Sequence, residues 1–520
     1  MKIGLLKLSY KTVVLFGLFL FLFFILRWNS FTTPFERDEG EYAYSAWIMK
    51  QGTLPYENSF MQKPPAIIYT YFLGQIFDPN GVAAPRVLSS LSVLMTTIFI
   101  AVITRKEFGK RAGWLSLFLS LPLFLIPYNT PYAANTESFM ILPLVALLYL
   151  YIKTRSEVTA RQLFISGILS ALTLLYKPLG LPIILFIYAV WFWEFYKQKL
   201  SIKDVAVKLF TVIAGGIVIT VGLLLPFIIS GKLNYLIESS VIYNLSYTGF
   251  EGFTFTNIFN YIGGRYIKVY WPYYLLLLYF LIRRPPRWWY YLGIFLAAVI
   301  SVYSSPMGHY YILVIPFWVL ISAYSLNEII KNYKLEHRFG KWTGLIIILV
   351  ILLIVSFPFK VQWGLTPEQL SVWMYGSVNP FIDAKIVGGK VKEMTREDDT
   401  VFVAGSEPEI YYYAKRKSPT RFVITYPLNI TSKFREEYQS EVVTDLSDNP
   451  PTVIVVSNRQ HSGLWNEGSP QIFINFLNEL LVNDYQIAGI FLWERDKSYW
   501  LTQFEKNDLN QASLIVYKKK

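Results

Sequence analysis

The chain has 520 residues, of which 54% are hydrophobic, 18% aromatic and only 16% charged, the composition of a polytopic membrane protein. Its formal charge of +13 is scattered between apolar runs and not gathered on one soluble face, which argues against a nucleic-acid partner. The absence of cysteine excludes disulfides, Cys-ligated zinc, iron–sulfur clusters and a thiol nucleophile.

The opening "MKIGLLKLSYKTVVLFGLFLFLFFILRW" has a basic start and a long apolar core but no small-residue cleavage site, and reads as an uncleaved first span. A bilayer core about 30 Å thick needs roughly 20 apolar residues as helix. Counting such runs predicts about eleven spans, at 8–27, 85–104, 112–128, 135–152, 162–176, 179–196, 206–229, 268–282, 288–304, 309–326 and 342–358. Lys and Arg recur in alternate connections, near 2–11, 105–111, 153–161, 197–208, 283–287 and 331–341, which assigns those segments to the cytoplasmic side. The opposite connections hold the acidic stretch 36–41, "PYNTPYAANTE", the segment 230–264, "SSPMGH" and everything after about residue 359.

The fold class is therefore mostly α. A membrane domain over 1–358, with a long first outer loop at 28–84, precedes a small extracytoplasmic α/β domain over 359–520. In that tail "TVFVAG", "RFVITY", "TVIVVSN", "IAGIFLW" and "SLIVYK" read as strands, and "EPEIYYYAK" and "PQIFINFLNELLVNDY" as helices. No GxGxxG, P-loop or HExxH motif occurs, and no internal repeat of the kind that builds inverted-half transporters.

The first outer loop is patterned too strongly for a connector. "DEGEYAYSAWIMKQG" has helical spacing with Gly52 as its stop, and "PPAIIYTYFLGQIF" is apolar but too short to span, so two interfacial helices should form a shelf over the outer leaflet. Within "ERDEGEYAYS", Glu36 and Glu41 read as solvated charges at a helix start, whereas Asp38 and Glu39 head the helix where it leaves the first span. Lys63 directly precedes the second helix. Arg86, Lys177 and Arg265 stand at outer ends of spans, where a cation can meet a phosphate or a lipid headgroup. The sequons at Asn244 and Asn429 fall on the outer side, where such triplets also arise by chance.

Three groups of residues resemble the membrane-embedded GT-C glycosyltransferases, in the branch of the protein O-mannosyltransferases and the bacterial lipid A aminoarabinose transferase. They are "RDEGEYAYSAWIMKQGTLPY" with "QKPPAIIY", then "APRVLSSLSVL" and "NTESFMILPLVALLYLY", then "ALTLLYKPLGLP" and "GHYYILVIPFWVL". The likeness implies that Asp38, with Glu39 beside it, is the general base or acceptor-orienting acid. It implies that Lys63 contacts the lipid phosphate, and that Glu137 is a second acidic residue at the outer end of the fourth span. His309, followed by Tyr310, stands where the family often carries Arg or Lys for the phosphate.

The implied reaction is inverting transfer of a sugar from a polyprenyl-phosphate donor to a lipid, glycan or protein acceptor at the outer membrane face. Such a donor brings its own leaving group, so cations held away from water and one carboxylate base suffice, with no covalent sugar intermediate and no cofactor. Asp38, Glu39, Glu137 and His309 are also chemically suited to a divalent cation. The alternative reading is a transporter or flippase of lipid-linked sugars, which should place its charges at mid-span; here they cluster at the outer ends.

Overall fold

A computed structural model describes residues 10–126, 132–155, 157–247, 266–303, 308–377, 379–464, 468–494 and 497–520. Each predicted apolar run holds a helix: α1 (Tyr10–Ile25), then, after α2 (Arg37–Lys50) and α3 (Ala66–Phe77) of the outer loop, α4 (Ala83–Phe108), α5 (Lys110–Phe124), α6 (Thr136–Thr154), α7 (Ala160–Tyr176), α8 (Leu181–Lys197) and α9 (Ile202–Ile229). After a short helical segment over 233–247 come α10 (Tyr266–Arg283), α11 (Trp288–Val302), α12 (Ile315–Asn332) and α13 (Thr343–Ser356). Among the described residues, six helical stretches are long and apolar enough to cross a membrane by themselves.

The helices differ in what they bury. α5 is enclosed from Leu115 to Phe124 and forms the centre of the bundle, packed by α4 and α12. α9 exposes Ile213, Ile217, Val218 and Val221, the all-round apolar surface expected of a lipid-facing helix. It is held to α7 by close backbone approach. A Cβ on Gly167 would strike the Val212 carbonyl and one on Gly215 the Phe164 carbonyl, so small residues set this contact.

α12 begins at Ile315, with Pro316 in its first turn, six residues later than the predicted span start at 309. The preceding residues, Gly308–Leu313, form a 3-10 turn, so His309 and Tyr310 sit on a turn and not within a membrane helix. The expected shelf of two exposed interfacial helices is also revised: α2 is buried on almost every face, roofed by the C-terminal region. Only α3 keeps an exposed apolar side, through Leu73, Ile76 and Phe77.

The C-terminal region packs on the same end of the bundle as the 28–84 loop. It adds α14 (Pro367–Tyr375), α15 (Phe381–Met394), β1 (Val401–Ala404), α16 (Glu409–Ala414), a short helical turn Tyr426–Asn429, α17 (Arg435–Asp448), β2 (Val453–Ser457), α18 (Ile472–Asp484), β3 (Tyr485–Glu494), β4 (Lys497–Leu501) and β5 (Ala512–Lys519). The sheet order is β1-β2-β5-β3-β4, parallel between β1 and β2 and antiparallel elsewhere. "RFVITY" is not a strand. Phe422 and Val423 are fully buried, but Val423 N–H bonds back to Arg421 and Thr425 N–H to Gly405, in a turn wedged under the outer loop.

Candidate functional site

α2 starts with a capping box in which the Glu36 carboxylate accepts from Glu39 N–H (3.2 Å) and the Glu39 carboxylate from Glu36 N–H (3.3 Å). Helical spacing then separates two faces. Asp38, Glu41 and Tyr42 share one; Glu39 lies on another with Ala43. Contrary to the expectation of solvated charges, Glu36 and Glu41 are buried, while Asp38 stays half-exposed. Burial pushes the Glu41 carboxyl up to about 8, with Lys63 pulling it down and Asp38 pushing it further up. Burial likewise raises the Tyr42 phenol, reinforced by Asp38, Glu137 and Glu41. Among the described residues, neither Glu41 Oε1 nor the Tyr42 hydroxyl has a hydrogen-bond partner.

Glu39 and Arg86 are committed to each other. Arg86 Nε donates to Glu39 Oε1 at 2.9 Å and a terminal nitrogen to Oε2 at 2.5 Å, with side chains 0% and 2% exposed. The other guanidinium hydrogens go to the carbonyls of Ser30 (3.2 Å), Thr33 and Pro34 (3.0 Å). Glu39 Oε1 also accepts from Ala134 N–H at 2.8 Å. The pair therefore ties α2, α4 and two loops together, and Arg86 keeps no free donor for a phosphate.

Lys63 is delivered by a pinned loop. Tyr56, fully buried at φ +69°, donates its hydroxyl to the Lys63 carbonyl at 2.8 Å. Asn244 holds the neighbouring Gln62 carbonyl at 2.7 Å, and Phe60 N–H bonds to the Arg421 carbonyl at 2.6 Å, with the Phe60 ring stacked on Phe422. Asn244 and the buried Asn429, which donates to the Gly463 carbonyl at 2.7 Å, are thus structural amides within their sequons.

On the bundle side, Glu137 opens α6 and forms a buried ion pair with Lys177, the residue between α7 and α8. Thr136 donates to the second Glu137 oxygen at 3.0 Å. The Lys177 ammonium rests 3.5 Å from the centroid of the Tyr310 ring, and Tyr310 meets His309 edge-to-face at 4.7 Å. Burial lowers the His309 imidazole from its ordinary value, against the pull of Glu137. The other charges it feels are Lys177, Asp38 and Lys63. The structure thus brings Asp38, Lys63, Glu137, Lys177, His309 and Tyr310 together from five segments. It turns Glu39 and Arg86 away into their own pair, and Arg265 lies outside the described residues. Glu41, Tyr42 and Tyr56 join without having been singled out as site residues; for the first two the i+3 and i+4 spacing from Asp38 was the available signal.

Among the described residues, no three His, Asp or Glu side chains are grouped so as to hold a metal ion. Of the four candidate cation ligands, Glu39 has its oxygens taken by Arg86 and two backbone N–H groups.

Gly40 is where α2 meets the C-terminal region. A Cβ there would lie 2.6–2.8 Å from the backbone and Cβ of Glu409. Beside it Arg37 Nε donates to the Ser406 carbonyl at 2.5 Å and faces Glu407 at 3.8 Å. Burial pushes both Glu407 and Glu409 above the ordinary carboxyl range.

Residues 62–224 match the family described as dolichyl-phosphate-mannose-protein mannosyltransferase. Over its full length the fold is similar to the crystal structure of ArnT from Cupriavidus metallidurans bound to undecaprenyl phosphate, with TM-score 0.61, 11% identity, and 97% of each chain covered. The chain therefore has the fold of this ArnT structure. The apo state of the same ArnT gives TM-score 0.58 at 11% identity, again over 97% of each chain. A second GT-C neighbour is the Archaeoglobus fulgidus oligosaccharyltransferase in complex with zinc and sulfate, with TM-score 0.50 and 13% identity over 94% of this chain and 73% of that one. No curated protein matches the chain in sequence.

Proposed function

We propose that this protein transfers a sugar from a polyprenyl-phosphate donor to a lipid, glycan or protein acceptor at the extracytoplasmic face of the membrane, inverting the anomeric centre. The observation that carries the proposal is the gathering of a half-exposed carboxylate, Asp38, and the cations Lys63 and Lys177 around His309 at one end of the helix bundle. The undecaprenyl phosphate held by the ArnT of similar fold supports a polyprenyl phosphate as the lipid part of the donor.

In this reading Asp38 accepts the acceptor's proton as the new glycosidic bond forms, and the lipid phosphate leaves with its charge beside Lys63 and Lys177. Glu137 and the Tyr310 face fix where the Lys177 ammonium sits, so its charge needs no reorganisation as the phosphate departs. Glu41, kept protonated near neutral pH, offers a hydrogen bond to the donor without adding negative charge next to a phosphate. Neutral His309 is a hydrogen-bonding wall and not a phosphate counter-ion. In this reading, with eleven spans and the basic connections cytoplasmic, this end of the bundle and the 359–520 region lie outside the cytoplasm.

The test is mass spectrometry of envelope glycans and lipids from cells lacking the protein, complemented with wild type or Asp38→Asn. A sugar-bearing species that is lost in the deletion, restored by wild type and not by a well-expressed Asp38→Asn supports the reading. Restoration by the variant removes Asp38 as the base.

A further inference from the structure

The helices that carry the Asp38 end also carry a basic hollow at their other end. α4 has Arg86 in its first turn and Lys106 in its last; α6 has Glu137 in its first turn and Lys153 in its last; α8 follows Lys177 and ends on Lys197. Arg287 caps α11, the helix that runs back towards His309. At 1.5 Å per residue these ends lie some 25–30 Å apart, the thickness of a bilayer core.

Lys106, Lys153, Arg155, Lys197 and Arg287 line one pocket of about 630 Å³, and Lys106, Arg155 and Arg287 also line an adjoining one of about 480 Å³. Compensating acid is scarce. Glu107 is engaged by Arg155 (3.1 Å) and the Tyr291 hydroxyl, and Glu194 accepts from Tyr151 at 2.9 Å. Lys106, Lys153, Lys197 and Arg287 have no ion-pair partner among the described residues. Loop lysines and arginines on a cytoplasmic face are ordinary. Their convergence from several helices on one hollow, five cations against the three carboxylates Glu107, Glu194 and Glu328, is what calls for an anion.

The rim says which anion. Trp193 and Trp289 line the same pocket and stay 50% and 47% exposed, and Tyr196 beside them is 72% exposed, an aromatic belt at headgroup depth. We infer that this hollow binds the phosphate headgroup of an anionic phospholipid in the leaflet opposite the Asp38 site. The phosphate sits among the lysines and Arg287 while the acyl chains leave past the exposed aromatics. A lipid bound here braces the far ends of the helices that position the catalytic cluster.

The full-length protein, purified in detergent, is titrated with phosphatidylglycerol, with phosphatidylcholine and with inorganic phosphate, reading retained lipid by native mass spectrometry and the unfolding temperature. Wild type should retain phosphatidylglycerol and be stabilised by it, with neither effect from phosphatidylcholine. Lys153→Gln/Lys197→Gln/Arg287→Gln should weaken phosphatidylglycerol binding on the order of 100-fold, about fivefold per lost charge. Lys153→Arg/Lys197→Arg should keep it, which separates lost charge from lost fold. Equal retention of both lipids, or undiminished phosphatidylglycerol binding by the triple Gln variant, overturns the inference. Stabilisation by inorganic phosphate equal to that by phosphatidylglycerol overturns the lipid assignment in favour of a soluble anion.

Discussion

Arg86→Ala separates two roles that the sequence alone leaves together: a phosphate ligand at the mouth of a span, or half of a structural pair. In the structure its guanidinium gives Glu39 a two-point contact and satisfies the Ser30, Thr33 and Pro34 carbonyls, at 2% exposure. Removing it leaves a carboxylate with 0% exposure without its counter-charge, a change that costs about 3–5 kcal/mol. The orphaned carbonyls add to this wherever water does not reach them. Removing both charges in Arg86→Met/Glu39→Gln should cost clearly less than the sum of the single changes, because no uncompensated ion then remains. The assay is thermal unfolding of the purified protein in detergent, followed by tryptophan fluorescence, beside donor KM. Arg86→Ala should unfold well below wild type, with the double variant recovering part of the loss. An Arg86→Ala protein that unfolds with wild type and shows only a raised donor KM would refute the structural role and restore the phosphate one.

Glu41 is protonated in the fold and ionised in the unfolded chain between the ordinary carboxyl range and about 8, so it lowers stability as pH rises through that window. The slope is at most about 1.4 kcal/mol per pH unit. Glu41→Gln should flatten it, seen by comparing unfolding at about pH 5.5 and about pH 7.5; an unchanged slope contradicts the assignment. Lys63→Ala, at a half-exposed position, should change stability by less than about 0.5 kcal/mol yet raise donor KM, with Lys63→Arg recovering part of the loss. Gly40→Ala forces a methyl into the Glu409 backbone and should cost about 1–3 kcal/mol, with increased proteolysis of the C-terminal region; a variant as protease-resistant as wild type contradicts that docking.

The helices were legible because apolar runs of membrane length have few other uses, and eleven of them recur as helices between Tyr10 and Ser356. Asp38, Lys63, Glu137 and His309 could be placed on one side because charge at the ends of spans alternates with the topology. The Glu39–Arg86 pair was not legible. Its partners stand 47 positions apart, and a carboxylate bound for burial looks the same in sequence as one bound for water. Glu36 and Glu41 were misread for the same reason, since the roof over α2 comes from residues more than 360 positions away. "RFVITY" has the composition of a buried strand, and only the tertiary contacts of Phe422 with Phe60 reveal a buried turn. The shift of His309 from span to turn follows from Pro316, which suits a first helical turn and disfavours continuation from upstream.

The most direct test of the central claim uses the purified protein in nanodiscs with a radiolabelled undecaprenyl-phosphate sugar, following release of undecaprenyl phosphate and the fate of the label. Wild type should cleave the donor and pass the sugar to an acceptor, and Asp38→Asn should fold normally but cleave it 10²–10⁴-fold more slowly, on the order expected for loss of a general base. Cleavage at the wild-type rate by Asp38→Asn, or movement of the intact donor across the bilayer without cleavage, would contradict the account.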